Sequence, residues 1–285
     1  MILYYAFGGG LGHLTRANAL MYTFGYLPET LYILTSSNFA NLIFQEKNII
    51  KLPDELYLNP KELGAKIESI IIEYKIDIFF IDSFPSGING ELNNFKISNC
   101  EIRYIARLLN WENYLPFICD FNISFDSTFI IEKLDDSQLS FILNNSKRHQ
   151  YIDLKYHPSK NLEKVKQILS EIELPIWLIV HSGNSEEMDH LCCYAHDLAE
   201  YEKLKPTYLI IRQTDDEIGL GSNLSLKYYP ASDFFPFVDK IFTACGFNSM
   251  NQTIQYAYKH HFIPFKRRFD DQYTRAKNRK HFIDC

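Results

Sequence analysis

The stretch Ile2-Leu3-Tyr4-Tyr5-Ala6-Phe7-Gly8-Gly9-Gly10-Leu11-Gly12-His13-Leu14-Thr15-Arg16 decides the fold class. Six apolar residues in a row read as a strand, which runs into glycines and then into a segment of helical period. A strand ending in glycines at a helix start presents bare backbone N–H groups and the positive end of a helix dipole at one point, which suits a phosphate or another anion. His13 adds an imidazole that can hold or move a proton near neutral pH. An anion site beside a proton carrier points to catalysis.

Working outward, short apolar runs alternate with helical segments along the whole chain, the pattern of an α/β protein with parallel sheets. Strands are expected near 2–7, 30–35, 48–52, 77–82 and 102–106, with further strand across 117–134 and a helix over 135–145. The polar, Pro-containing stretch 147–159 marks the expected domain boundary. The pattern then restarts: a helix at 160–171, a strand at 175–181, a helix near 186–201, strands at 207–211, 224–228 and 240–243, a helix from Asn248, a strand at 261–263 and a last helix from Asp270. Two domains are expected, 1–155 and 156–285.

The 285 residues carry 46% hydrophobic and 22% charged side chains, ordinary values for a globular protein. A net charge of -6 argues against a nucleic-acid partner, which needs a basic face. The six cysteines show no paired spacing, and the amino terminus reads as a strand rather than a signal segment, so a reducing, cytoplasmic location is expected. No apolar run approaches the roughly 18 to 20 residues a membrane helix requires.

The first loop fits neither common nucleotide fingerprint. It lacks the Gly-Lys-Ser/Thr ending of a P-loop, His13 stands where a dinucleotide loop has its third glycine, and no acid closes the second strand at Thr35. Asp82 ends the strand Asp77–Ile81. In a doubly wound sheet the first and fourth strands are neighbours, which would bring Asp82 to His13, fix its tautomer and raise its pKa; Glu91 is the alternative partner. The second half offers a matching junction at Cys245-Gly246-Phe247-Asn248-Ser249, again strand, glycine and helix start. Gln252 follows, then Pro264-Phe265-Lys266-Arg267-Arg268-Phe269-Asp270-Asp271-Gln272. Cys192 and His196 lie four apart on one helical face, a spacing open to a metal but better explained by core packing, since Leu191, Ala195 and Leu198 complete an apolar stripe. Lys266-Arg267-Arg268 reads as an anion-binding run or a solvated loop.

The Gly-rich loop with its His, then Cys-Gly-Phe-Asn-Ser, then Pro-Phe-x4-Asp-Asp-Gln-x3-Ala276 resembles GT-B glycosyltransferases. The similarity runs to the branch holding the peptidoglycan N-acetylglucosaminyltransferase (glycosyltransferase family 28-like) and, through Asp82-Ser-Phe-Pro-Ser-Gly87 with Glu91-Leu92, to uncharacterised predicted glycosyltransferases. The resemblance implies two Rossmann-like domains facing a cleft, acceptor side first and nucleotide-sugar side second. It implies a hexosyl- or N-acetylhexosaminyl-transferase that moves sugar from a nucleotide-diphosphate sugar, such as a UDP-sugar, to an acceptor hydroxyl, with inversion. The acceptor would be a carbohydrate or a lipid-linked one, compatible with peripheral membrane contact, and neither a metal nor a cofactor would be required. His13 would be the general base with Asp82 beside it. Gly9, Gly10 and Gly12 would face the diphosphate and acceptor, Gly246, Phe247, Asn248 and Ser249 would cradle the diphosphate, Gln252 would hold the ribose, and Asp271 and Gln272 would touch the donor sugar. The chain departs from the family in carrying Gln at 252 where a Glu is usual and in its short second domain. Gly10-x-Gly12-His13-x-x-Arg16 also resembles the nucleotide-sugar hydrolase of pseudaminic acid synthesis, which makes water an alternative acceptor; a non-catalytic nucleotide-sugar binding protein is the other alternative.

Overall fold

The computed structural model describes residues 1–97, 99–159, 161–213 and 224–283. The chain forms two compact units, one of Met1–His157 with Arg268–Asp271, the other of Pro158–Arg267 with the segment from Gln272 onward. The sequence reading divided the chain at 155/156 and gave everything after that to the second domain. Residues 268–271 depart from this because they pack with the first unit: the Asn110 N–H donates to the Phe269 carbonyl at 2.7 Å, and Asp270 forms an antiparallel bridge with Leu109.

The first unit is a seven-stranded parallel sheet in the order β3-β2-β1-β4-β5-β6-β7. Its strands are β1 (Ile2–Ala6), β2 (Leu31–Thr35), β3 (Ile49–Lys51), β4 (Ile78–Asp82), β5 (Glu101–Ala106), β6 (Ser127–Ile130) and β7 (His149–Tyr151), and its helices α1 (Leu11–Phe24), α2 (Pro60–Glu73), α3 (Trp111–Tyr114) and α4 (Asp136–Asn145). All five residues of β1 are buried, as a central parallel strand covered on both faces requires. Helix α1 ends where Gly25 adopts φ 69° and its N–H returns to the Met21 and Tyr22 carbonyls, a left-handed cap that glycine takes without strain. Helix α4 starts where the Asp135 carboxylate accepts the Ser137 and Gln138 N–H groups.

One expectation fails here, and another is met with an addition. The Ile- and Phe-rich stretch 117–134 yields only the short strand β6, because Leu115–Ile118 turns as a 3-10 helix and its aromatic rings pack as a cluster rather than a ladder. The polar stretch 147–159 does hold the division between the units, at His157 and Pro158, but it also contributes β7 to the edge of the first sheet, where its three exposed residues explain why it carries no apolar signal.

The second unit is a five-stranded parallel sheet, β10-β9-β8-β11-β12. It is built from β8 (Ile176–Val180), β9 (Thr207–Ile211), β10 (Leu224–Leu226), β11 (Lys240–Ala244) and β12 (His260–Ile263), with helices α5 (Leu162–Ser170), α6 (Ser185–Glu202), α7 (Phe247–Gln252) and α8 (Gln272–Ile283). Alternate residues of β8 face two cores: Trp177 and Ile179 pack on Leu191, Cys192 and Ala195 of α6, while Ile176 and Leu178 pack on Val165 of α5 and on Phe234 and Phe235. Trp177 is fully buried, and its truncation to Ala should cost about 3–5 kcal/mol. Both units are therefore α/β sheets covered on both faces. In each the strand order reverses at one place, between β1 and β4 and between β8 and β11, and in such sheets the carboxyl ends beside the reversal hold the ligand. No helix among the described residues is long and apolar enough to cross a membrane.

Candidate active site

At the reversal of the first sheet, β1 leads through Phe7 into Gly8, which sits at φ 136°. A Cβ there would lie 2.9 Å from His13 Cδ2 and 3.2 Å from Nε2, so the loop requires glycine both for its conformation and to let the imidazole lie against it. Gly9 and Gly10 are different. Neither has positive φ, and a Cβ on either would meet open space. Their lack of a side chain serves nothing within the protein, which leaves room for something from outside to approach the backbone.

His13 is the third residue of α1. Its Nδ1 lies 2.6 Å from Asp82 Oδ2 at the end of β4, the neighbour that parallel pairing places beside β1 with Tyr5 opposite Ile81. A carboxylate there fixes the tautomer with the proton on Nδ1 and the lone pair on Nε2. Nε2 takes no hydrogen bond from the described residues, and the side chain is 16% exposed, so the basic nitrogen is the accessible one.

The Asp82 side chain is wholly buried and saturated. Arg16 grips it with Nε on Oδ1 and Nη2 on Oδ2, both at 2.7 Å, and the Ser83 hydroxyl donates to Oδ1 at 3.2 Å. Ser83 is left-handed at φ 68°, held there by its N–H on the Ile105 carbonyl and by Tyr104 OH on its own carbonyl. Its Oγ accepts Arg16 Nη2 at 2.9 Å and Arg107 Nε at 2.8 Å. With its proton and both lone pairs engaged, Ser83 is a structural hub and not a nucleophile. Arg107 reaches on to Asp270, and its carbonyl accepts Gln138 Nε2 at 2.8 Å.

The electrostatics correct one expectation. Burial disfavours the imidazolium and outweighs the pull of Asp82, with Arg16 and Arg107 adding to the effect, so the His13 pKa falls rather than rises. For Asp82 burial acts in the opposite sense, yet Arg16 and His13 take the carboxyl below the usual range. Glu91 is not a partner of His13. It accepts Tyr5 OH at 2.7 Å and the Ile88 and Asn89 N–H groups at 3.0 and 2.8 Å, and so clamps the loop that follows Asp82. Arg107 was not identified from sequence, and Ser83 and Asp270 stood out there only as members of the Asp82–Gly87 and Pro264–Gln272 runs, not as partners of Arg107. The one signal was an arginine directly after the apolar strand β5.

In the second unit β11 runs through Cys245 into Gly246, which has φ -66°, caps α7 without a side-chain bond and would have open space around a Cβ. Phe247 is buried, whereas Asn248, Ser249 and Gln252 are half-buried. Helix α8 braces this junction: Arg275 Nη1 donates to the Cys245 carbonyl at 2.9 Å, and Arg279 Nη2 to that of Thr253 at 2.8 Å. Gln272 is buried and its amide oxygen accepts the Phe265 N–H at 3.0 Å, so that oxygen holds the loop after β12. Asp271, half-buried, belongs to the segment that packs with the first unit.

Directly after β8, His181 Nε2 lies 2.7 Å from Glu187 Oε2, and Arg267 grips both oxygens of Glu187. A Cβ on Gly183 would fall 2.2 Å from His181 Nε2, so this pair is sealed by the loop itself. Arg267 is thus an internal ion-pair partner, while Arg268 stacks on Phe269 with its guanidinium carbon 4.6 Å from the ring centroid. Cys192 is in the core and His196 is exposed, so the two do not converge. Among the described residues no group of three metal-type side chains comes together.

No protein-family model matches the chain, and no curated protein matches it in sequence. Solved structures do match in fold. The spinosyn forosaminyltransferase SpnP is similar with a TM-score of 0.57 and 9% identity, over 98% of this chain and 83% of that one. A UGT transferase from Siraitia grosvenorii, solved with UDP, gives 0.54 and 10% over 97% and 82%. The glycosyltransferase SsfS6 of Streptomyces sp. SF2575, solved with thymidine diphosphate, gives 0.55 and 10% over 99% and 85%. The chain therefore shares the fold of GT-B glycosyltransferases, an α/β architecture of two Rossmann-like domains.

Proposed function

We propose that the protein is a glycosyltransferase that moves a hexosyl or N-acetylhexosaminyl group from a nucleotide-diphosphate sugar to an acceptor hydroxyl with inversion. The observation that carries this reading is the His13 imidazole, anchored through Nδ1 to buried Asp82, with Nε2 accessible beside glycines that need no side-chain room of their own. In the proposed step the acceptor hydroxyl gives its proton to His13 Nε2 and its oxygen attacks the anomeric carbon. The bond from that carbon to the phosphate oxygen breaks, and the nucleoside diphosphate leaves with the electron pair. A positioned base of this kind contributes about 10²- to 10⁴-fold.

The donor is assigned to the second unit. Gly246 is open, and α7 directs its amino-terminal dipole there, which suits a diphosphate without a required metal. Gln252 at the end of α7 would bond the ribose as a neutral amide. Gln272 would act indirectly, by holding the loop after β12 through Phe265. UDP- and TDP-sugars are the donors to try first, because similar structures carry those nucleotides. The acceptor is proposed to be a carbohydrate hydroxyl, free or lipid-linked.

The test is release of nucleoside diphosphate from a panel of UDP- and TDP-sugars, with and without acceptor alcohols, before and after EDTA. The anomeric configuration of the product is read by NMR. Acceptor-dependent, EDTA-insensitive release with inversion is expected. Release at the same rate without any acceptor would make water the acceptor and the protein a hydrolase. Binding of UDP or TDP with no turnover of any donor would leave a nucleotide-sugar binding protein.

A further inference from the structure

A carboxylate beside an imidazole ordinarily does two things: it fixes the tautomer, and its negative charge favours the imidazolium. In this site the second effect is opposed by geometry. Asp82 is gripped through both oxygens by Arg16, and the same Nη2 that binds Oδ2 stands 3.1 Å from His13 Nδ1. Arg16 and His13 are three residues apart on α1, so they share one helical face, and Arg16 is itself buried. The charged groups facing His13 are therefore Asp82 from β4, Arg16 from its own helix and Arg107 from the end of β5, with Asp270 held by Arg107. The charges of Arg16, Arg107, Asp82 and Asp270 sum to zero. A proton on His13 adds one uncompensated positive charge to a buried cluster.

We infer that Arg16 is a positioning residue that cancels the pull of Asp82 on His13, leaving the carboxylate to orient the imidazole while the guanidinium keeps it in the unprotonated, proton-accepting form. This rests on the reading of His13 as the base, although the charge balance can be measured without it. Arg16 touches neither donor nor acceptor in this account. The proton affinity of His13 is lowered chiefly by burial; Asp82 pulls the other way, and Arg16 and then Arg107 oppose that pull.

The test is an NMR titration of the His13 ring proton on Cε1, assigned by its loss in His13→Asn, in the full-length protein without ligand. In the wild type the midpoint is expected below about 6.5, the ordinary histidine value. In Arg16→Gln it should rise by at least about one pH unit, a tenfold gain in proton affinity. A midpoint unchanged to within about 0.3 unit in a folded Arg16→Gln variant would overturn the proposal, since in that sum removing one full charge 3.1 Å away cannot be silent. Should that variant fail to fold, the double variant Arg16→Gln/Asp82→Asn removes both charges together. Cancellation predicts a midpoint within about 0.5 unit of the wild type, whereas a dominant Asp82 would drop it by more than one. Failure of this titration would leave donor turnover untouched, and absence of turnover would leave the titration untouched, so the two readings fail separately.

Discussion

Each unit contains an imidazole, a carboxylate and an arginine at the carboxyl end of a strand beside the order reversal, and the two trios are put together differently. In the first, His13 offers Nδ1 to Asp82 and keeps its outer nitrogen accessible. In the second, His181 offers Nε2 to Glu187, and Gly183 lies against that nitrogen. The first arginine is buried with its carboxylate, whereas Arg267 is 33% exposed. The same three side-chain types therefore leave a partly exposed imidazole in one case and a buried loop clamp in the other. The His13 side chain is 16% exposed and that of His181 6%.

The largest expected effect tests that difference directly. His13→Ala should lower donor turnover by about 10²- to 10⁴-fold, the value of a positioned base, while UDP or TDP binding by calorimetry is retained. His181→Ala should change turnover by less than about tenfold and instead lower the melting temperature, because Glu187 and Arg267 lose a buried partner. Equal losses of turnover in both variants would erase the distinction.

Next comes the carboxylate. Asp82→Asn leaves the buried Arg16 guanidinium without its counter-charge and should cost about 3–5 kcal/mol in denaturant unfolding. Glu187→Gln, whose arginine reaches solvent, should cost about 1 kcal/mol or less. A reversed order would mean that the second trio is the buried one.

The glycines sharpen the comparison further. Gly8→Ala forces a Cβ against the imidazole at a φ of 136° and should cost about 1–3 kcal/mol and displace His13. Gly246→Ala meets open space at ordinary φ, so stability should hold within about 0.5 kcal/mol while nucleoside diphosphate affinity falls. Unchanged affinity would remove the diphosphate from that junction.

The most gradual effects appear with pH. His260, clasped between Thr243 and Thr253 at 2.8 and 2.9 Å, is pushed down to about 3, chiefly by burial. Because the unfolded chain binds that proton near pH 6.5, stability is full above this pH. It should fall by at most about 1.4 kcal/mol per pH unit toward 3. His13 and His181, also lowered by burial, add losses of the same sign below 6.5. Asp82 adds its own only below about pH 4, where the unfolded carboxyl starts to bind a proton that the folded one refuses. A His260→Gln variant should flatten the profile between pH 6.5 and 4; an unchanged slope would assign the loss to other groups.

The fold was legible because buried parallel strands write themselves as apolar runs, as Ile2–Phe7 and Ile176–Val180 do. The meeting of His13 with Asp82 was legible too, since strand order in a doubly wound sheet follows general rules. The charge cluster around them was not. Arg107 and Asp270 stand 163 residues apart, and no local pattern links them. The direction of the His13 pKa was misread for the same reason: a neighbouring carboxylate can be inferred from topology, but burial and an arginine fork across that carboxylate cannot. The edge strand β7 escaped because its exposed residues carry no apolar signal.

The central claim is that His13 Nε2 takes the proton of the attacking hydroxyl. The measurement that tests it most directly pairs the NMR titration of His13 with the pH dependence of kcat/KM for acceptor-dependent nucleoside diphosphate release in the same protein. The account predicts that the acid limb of activity and the His13 midpoint coincide, both below about 6.5, and that the limb disappears with the activity in His13→Asn. An acid limb that lies more than a pH unit from the His13 midpoint, or that survives in His13→Asn, would contradict it.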